Sequence, residues 1–376
     1  MNFLVRLKEF AGVLIKDIRR YRFAICSPIL QGNGDPSWVR ICNRNEKLVV
    51  NPDGPGVLCD WRWSSKLHAC GVMPSWGLHL QKRVFADWPI RFSDHHVNAT
   101  SPQVSFLITH SGDDRIQQLC QVIRSIFAQV DVTVECIVVD FSEEPIAERL
   151  PLGVKYRHVA TSHLKPGWYK SWGFNIAARM AKGDVLVFHD GDICAPDRYA
   201  QQLVAHMIAG PYEAASIQRF LFYLSKTATE TSYTSGQLNT KPPETVLQNW
   251  KGGTIAARKD SFFSIGGFDE GFVDWGGEDD EFFSRCGELN HLRFGYLPFV
   301  HLWHPSQPDR HGQDNLNETR VLPERLGIKI DLRIEELTRR DFGNPLRPDP
   351  LIRYKDRLED PKWKTVETLR ASRVED

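Results

Sequence analysis

A doubly wound α/β sheet is the fold this sequence predicts, and three stretches predict it. Residues 104–108 and 134–139 are short apolar runs without alternation, the pattern of strands buried on both faces of a parallel sheet. Between them Ile116, Leu119, Cys120, Ile123, Ile126 and Phe127 recur at helical spacing, completing a strand, helix, strand unit. The third stretch is 184–196, in which another buried run stops abruptly at His189-Asp190-Gly191-Asp192. Open sheets of this kind bind ligands at the carboxyl ends of their strands, so that ending is the place to look for chemistry.

Composition bounds the rest. A chain of 376 residues suggests two domains or one large domain with additions, and 41% hydrophobic residues supply a full core. Lys plus Arg and Asp plus Glu are 47 each, so no basic excess argues for a nucleic-acid partner. Eight cysteines lie scattered without a CxxC pair, which favours small buried side chains in a reducing compartment over a disulfide framework. No apolar run is long enough to span a bilayer, and none looks like a signal peptide. The expected location is the cytoplasm, in association with the inner face of the membrane if the first helix binds there.

Residues 1–20 predict a helix: Phe3, Leu4, Leu7, Phe10, Ala11, Leu14 and Ile18 share a face, and Arg6, Lys8, Lys16, Arg19 and Arg20 outnumber Glu9 and Asp17. Two readings stand, a helix lying on an anionic membrane surface and a helix packed on its own domain. Residues 21–101 break into short β-like runs (23–30, 38–42, 47–50) between Gly, Pro, Asn and Asp clusters, a small β-rich region. There Trp61 and Trp63 stack on a sugar or fill a small core. The doubly wound domain is expected over 102–325, with Asp113 or Asp114 capping its first helix. Residues 223–248 predict a long surface loop and 305–320 a mobile one, and 326–376 a helical extension with helices near 331–340 and 363–372.

Several side chains carry chemistry. Asp190 and Asp192 at the mouth of a buried strand need neutralising, and a divalent cation bridging to a phosphate does that; a solvated turn is the plainer alternative. Asp140, ending the strand over 134–139, holds a ribose or base, or simply starts a loop. Asn175 sits among apolar helix positions, and a buried amide needs partners, structural or ligand. Gly252-Gly253 and Gly266-Gly267 mark close backbone approaches. The acids from Glu278 to Glu281 are partly explained by the start of a helix, which favours negative charge, but the preceding Trp275-Gly276-Gly277 is not. His301 and His304, three apart on a strand, are metal ligands or satisfied structural histidines.

In this order these pieces resemble the GT-A glycosyltransferases, closest to the group that includes β-1,4-galactosyltransferases and chondroitin-polymerase-type enzymes of glycosyltransferase family 2. The resemblance runs over roughly 102–314 and is carried by VFHDGD, NWKGG with GGFDE, and WGGEDDE. It implies a GT-A mixed sheet and manganese, or magnesium, held by Asp192, His304 and His301 with Asp190 beside it. It implies a UDP-sugar donor at Thr109, His110, Asp140, Lys170, Asn175 and Asp190. A donor-sugar and acceptor wall follows at Gly253, Trp275, Gly276, Gly277, Glu278 and Asp280, and Asp279 as catalytic base. The implied reaction is inverting transfer of a hexose to a glycan or lipid-linked acceptor, with a loop after His304 closing over the donor. A non-catalytic sugar-binding protein and a metal-dependent hydrolase are the alternatives of other classes.

Overall fold

The structure is a computed structural model and describes residues 3–26, 34–60, 65–96, 99–164, 166–249, 251–305, 315–346 and 354. Its centre is a seven-stranded sheet. Val104–His110, Val134–Asp140 and Lys155–His158 run parallel in that order, and Val185–His189 lies parallel to Val104–His110 on its other side. Thr254–Arg258 then adds antiparallel, followed by two short strands, Ala214–Ala215 and, at the edge, His291–Leu292. Side chains alternate between two cores: Phe106 and Ile108 face one, Leu107 the other. The helix Ile116–Phe127 covers the first face and Lys170–Met180 the second, which makes the sheet doubly wound as expected.

A second, five-stranded sheet has the order Ser65–Lys66, Thr245–Gln248, Gln218–Tyr223, Leu297–His301 and Ile193–Cys194. Its last pairing sets His301 opposite Ile193, beside the acidic turn.

Outside the sheets, several expectations are corrected. The N-terminal helix runs on to Cys26 through the first part of the expected strand at 23–30, and the rest of that run, 27–30, lies outside the described residues. Residues 38–42 fall in and just after a 3-10 turn, Ser37–Arg40. A hairpin of Lys47–Val50 with Val57–Asp60 does form, but helices His68–Val72 and Pro74–Asp87 share the region, the second opening on a proline at its first position. The supposed loop at 223–248 contains the helix Lys226–Ser235, capped by the Ser225 hydroxyl and ended by left-handed Gly236, and the strand Thr245–Gln248. Neither Asp113 nor Asp114 caps the helix Ile116–Phe127, whose cap residue is Arg115; the Asp113 carboxylate accepts from Arg149 instead, at 2.6 Å. Residues 315–320 are held rather than loose: Asn317 donates to the Val273 carbonyl at 2.8 Å, and a turn of π-helix spans Asn317–Val321. Trp61, Trp63, 306–314 and 363–372 lie outside the described residues.

Two fully buried arginines hold the additions to the centre. Arg219 reaches the N-terminal region by donating to the Val39 carbonyl at 2.7 Å and to that of Ile41, and it also bonds Asn249 at 2.8 Å. Arg333, from the C-terminal helix Ile330–Thr338, donates to Glu281 at 2.7 Å. All eight cysteines are free thiols.

Candidate active site

Two clusters of charge meet at the turn Asp190-Gly191-Asp192. The turn is pinned from below by His189, whose buried ring reaches Thr254 Oγ1 at 2.9 Å and the Ile193 carbonyl at 2.7 Å; burial holds this imidazole below its ordinary pKa. The Asp190 amide donates to the Gly253 carbonyl at 2.9 Å and the Leu302 amide to the Asp192 carbonyl at 2.8 Å. Gly253 has φ +87°, a left-handed backbone that favours glycine, and a Cβ there would also meet Ile193 Cδ1 at 2.4 Å.

Those backbone contacts press Asp192 against both histidines. His304 Nε2 lies 3.2 Å from Asp192 Oδ2 and His301 Nε2 3.6 Å from Oδ1. The three residues are buried and their ligand atoms all lie within 4.8 Å of one another. Arg115 Nη1 approaches Asp192 Oδ2 at 3.4 Å. Burial alone pushes the Asp192 carboxyl up, but His301, His304 and Arg115 overcome it and hold the carboxyl well below the usual range. The donor set fits a divalent cation. His304 Nδ1 is 2.8 Å from the Pro305 carbonyl, an acceptor, so the proton belongs on Nδ1 and Nε2 is left as a ligand facing the carboxylate. Two acceptors facing at that distance call for a cation or a proton between them.

The second cluster is built on Lys170, at the start of the helix Lys170–Met180. Its buried ammonium lies 3.1 Å from Asp190 Oδ1, 3.2 Å from Glu278 Oε1 and 3.1 Å from Asp279 Oδ2. Burial works to lower the lysine pKa, and the three acids raise it well above the ordinary value. Asp279 responds in the opposite sense: burial, opposed by Lys170 and reinforced by Glu278 and Asp190, pushes its carboxyl up to about 7. The acids are delivered by Gly276 and Gly277, with φ +107° and +87°, which turn the chain into the helix Glu278–Arg285. Glu278 accepts from the Gly276 amide at 3.2 Å. Trp275 is half-buried beside them, and Asp280 is exposed with Lys251 Nζ 3.5 Å away.

Other expected residues are placed differently. Asp190 stands outside the Asp192 cluster, its carboxylate drawn to Lys170. Asp140 is fully buried; its Oδ1 accepts from the Ser142 amide and hydroxyl at 2.9 and 2.6 Å and its Oδ2 from the Tyr156 hydroxyl at 2.6 Å, so neither oxygen is offered to a base or ribose. Asn175 is likewise structural, clamping the Phe268 amide and carbonyl at 2.8 and 2.9 Å and Glu270 at 2.9 Å. Thr109 is buried against the Lys170–Met180 helix at Gly173, and His110 turns back on the Gly112 carbonyl at 2.7 Å. Sequence reasoning missed Arg115, which no motif marks, and the supporting role of His189, whose place inside HDGD was the available signal.

Comparison with known proteins bears on this geometry. Residues 114–265 match the family model of glycosyl transferase family 2, and residues 241–300 match that described as the N-terminal domain of galactosyltransferase. Together with the doubly wound mixed sheet, these make the chain a glycosyltransferase of the GT-A fold. Over the matched segments it is similar to family 2 and to the β-1,4-galactosyltransferase-like group. Similar solved structures include the catalytic domain of Drosophila beta1,4galactosyltransferase 7 in complex with xylobiose, 15% identical over 56% of this chain and 77% of that one, TM-score 0.35. Another is a mycobacterial protein, 20% identical over 61% of this chain and 76% of that one, TM-score 0.41. None of the curated proteins matches the chain.

Proposed function

We propose that this chain is a metal-dependent inverting glycosyltransferase. It moves a hexose, of galactose or N-acetylhexosamine type, from a UDP-sugar to a hydroxyl of a glycan or lipid-linked acceptor. Residues 102–325 serve as its catalytic domain, and it works in the cytoplasm. The observation that supports this best is the single turn, Asp190-Gly191-Asp192, that joins a trio suited to a cation to an acid cluster containing a carboxylate raised to about 7.

Asp192, His301 and His304 would hold manganese or magnesium, which supplies neutralisation of charge on the departing diphosphate. Asp279 takes the proton of the acceptor hydroxyl. The acceptor oxygen then bonds to the anomeric carbon as the bond from that carbon to UDP breaks on the opposite face, inverting the centre. Lys170 orients Asp279 by contacting both of its oxygens, at 3.3 and 3.1 Å. A base with a pKa near 7 is matched to neutral pH. Trp275, Gly276 and Gly277 wall the sugar and exclude water, so that transfer outruns hydrolysis.

The test is calorimetric titration of a panel of UDP-sugars with and without manganese, followed by assay of UDP release with acceptors. Manganese-dependent binding of one donor, lost in Asp192→Ala, is the expected result. Donor binding indifferent to a chelator would overturn the cation site, and no binding by any UDP-sugar would overturn the donor class.

A further inference from the structure

The first helix, Phe3–Cys26, uses one face to pack on the protein and leaves another apolar face uncovered. Among its described side chains Val13, Asp17, Tyr21 and Ala24 are the buried ones, spaced four, four and three apart, and the Tyr21 ring lies tilted against Trp76 at 5.2 Å. The stripe Leu7, Phe10, Leu14 and Ile18, also at helical spacing, lies beside that face and remains 54, 44, 37 and 40% exposed; Ile15, next to it, is 76% exposed. Lys8, Arg19 and Arg22 are exposed along the far border of this stripe. The helix's two acids do not offset them there: Asp17 is turned inward, 3.3 Å from Arg44, and Glu9 is half-buried on another side.

We infer that this uncovered face docks onto the surface of a bilayer containing anionic phospholipid. The stripe enters the boundary between headgroups and acyl chains, while Lys8, Arg19 and Arg22 meet the phosphates. Among the described residues no helix is long and apolar enough to cross a membrane, so the contact is one of lying on the surface. A bilayer suits the face better than a second copy of the chain. An antiparallel two-fold pairing through this helix would bring its basic border against itself and a parallel one would leave both borders without counter-charge, whereas anionic headgroups complement it. Of the two readings taken from the sequence, the packing of Val13, Tyr21 and Ala24 meets the second, and the exposed stripe is what the first requires.

The experiment is flotation of the full chain with vesicles of phosphatidylcholine alone and with phosphatidylglycerol at about a third of the lipid. Binding only to the anionic vesicles, weakened at least tenfold by raising salt from about 0.05 to 0.5 M, is expected. Leu14→Glu with Ile18→Glu should abolish it, and Lys8→Gln with Arg19→Gln and Arg22→Gln should remove its salt dependence. Unchanged thermal unfolding of both variants keeps misfolding from imitating the result. No binding of the intact chain to anionic vesicles overturns the inference. So does a dimer in solution that Leu14→Glu with Ile18→Glu converts to monomer while vesicle binding stays unaltered. Because no donor or acceptor is present, these outcomes are independent of the transfer chemistry.

Discussion

Two residues apart on one short helix, Asp279 and Glu281 live in opposite electrostatic worlds. Glu281 is wholly buried and faces two guanidiniums, accepting from Arg285 Nε and Nη2 at 2.9 and 2.7 Å and from Arg333 at 2.7 Å. Asp279 is half-buried and shares one ammonium, Lys170, with two other carboxylates. Around Glu281 cations exceed anions, and the cluster ties the helix Glu278–Arg285 to the C-terminal extension. Around Lys170 anions exceed cations, and the imbalance is expressed as a raised carboxyl pKa. A protein built only for stability has little use for the second arrangement, whereas one that must accept a proton there does.

Separating function from stability across those three residues is the most direct way to break the comparison. Asp279→Asn should lower the transfer rate by roughly 10²–10⁴-fold, with UDP-sugar binding and unfolding midpoint near those of the parent. Loss of donor binding alongside would instead make Asp279 a binding residue. Glu281→Ala should do the reverse first, costing about 3–5 kcal/mol in urea unfolding because two buried guanidiniums lose their partner. A cost under about 1 kcal/mol would mean that the guanidiniums find water, and the contrast between the clusters would collapse.

The pH profile sharpens it further. Asp279 acts as a base only when ionised, so kcat/KM should rise about tenfold per pH unit on the acid limb and level off above about 7. For folding the sign is the other way. A carboxyl whose pKa is raised in the fold contributes its stability in full below its unfolded value and gives it up as the pH climbs through about 7. A limb that breaks near the ordinary carboxylate pKa would remove the evidence for an acid-rich site. The smallest effect calibrates the rest: Ser225→Ala, which deletes the cap of Lys226–Ser235 far from both clusters, should cost about 1 kcal/mol and leave kcat unchanged.

Which parts of this were visible beforehand follows from what each residue depends on. The strands Val104–His110, Val134–Asp140 and Val185–His189 were legible because burial on both faces demands unbroken apolar runs, and the helix Ile116–Phe127 because its apolar stripe is regular. Lys226–Ser235 was not, since a run of Thr and Ser has weak helix preference and only the Ser225 and Gly236 boundaries announce it. In the site, the sequence pointed to Asp192, His301 and His304, which the fold brings together; for Asp140 and Asn175 it left a ligand or a structural role open, and the resemblance set both on the donor. A buried polar side chain demands a partner without saying which, and here Ser142, Tyr156 and the Phe268 backbone take that part. Arg115 was invisible for the complementary reason: an arginine in a loop after two aspartates looks solvated until the fold aims it at Asp192.

The pairing of Val300 and His301 with Cys194 and Ile193 also has a meaning in time. Asp192 leaves the ribosome about a hundred residues ahead of its two histidines, and contacts of such long sequence separation form late because the intervening chain must first be ordered. During synthesis the acidic turn is therefore complete in sequence while the candidate cation trio is still unassembled. The trio closes only when Leu297–His301 slots between Gln218–Tyr223 and Ile193–Cys194, so tight metal uptake would report that the central chain has finished folding.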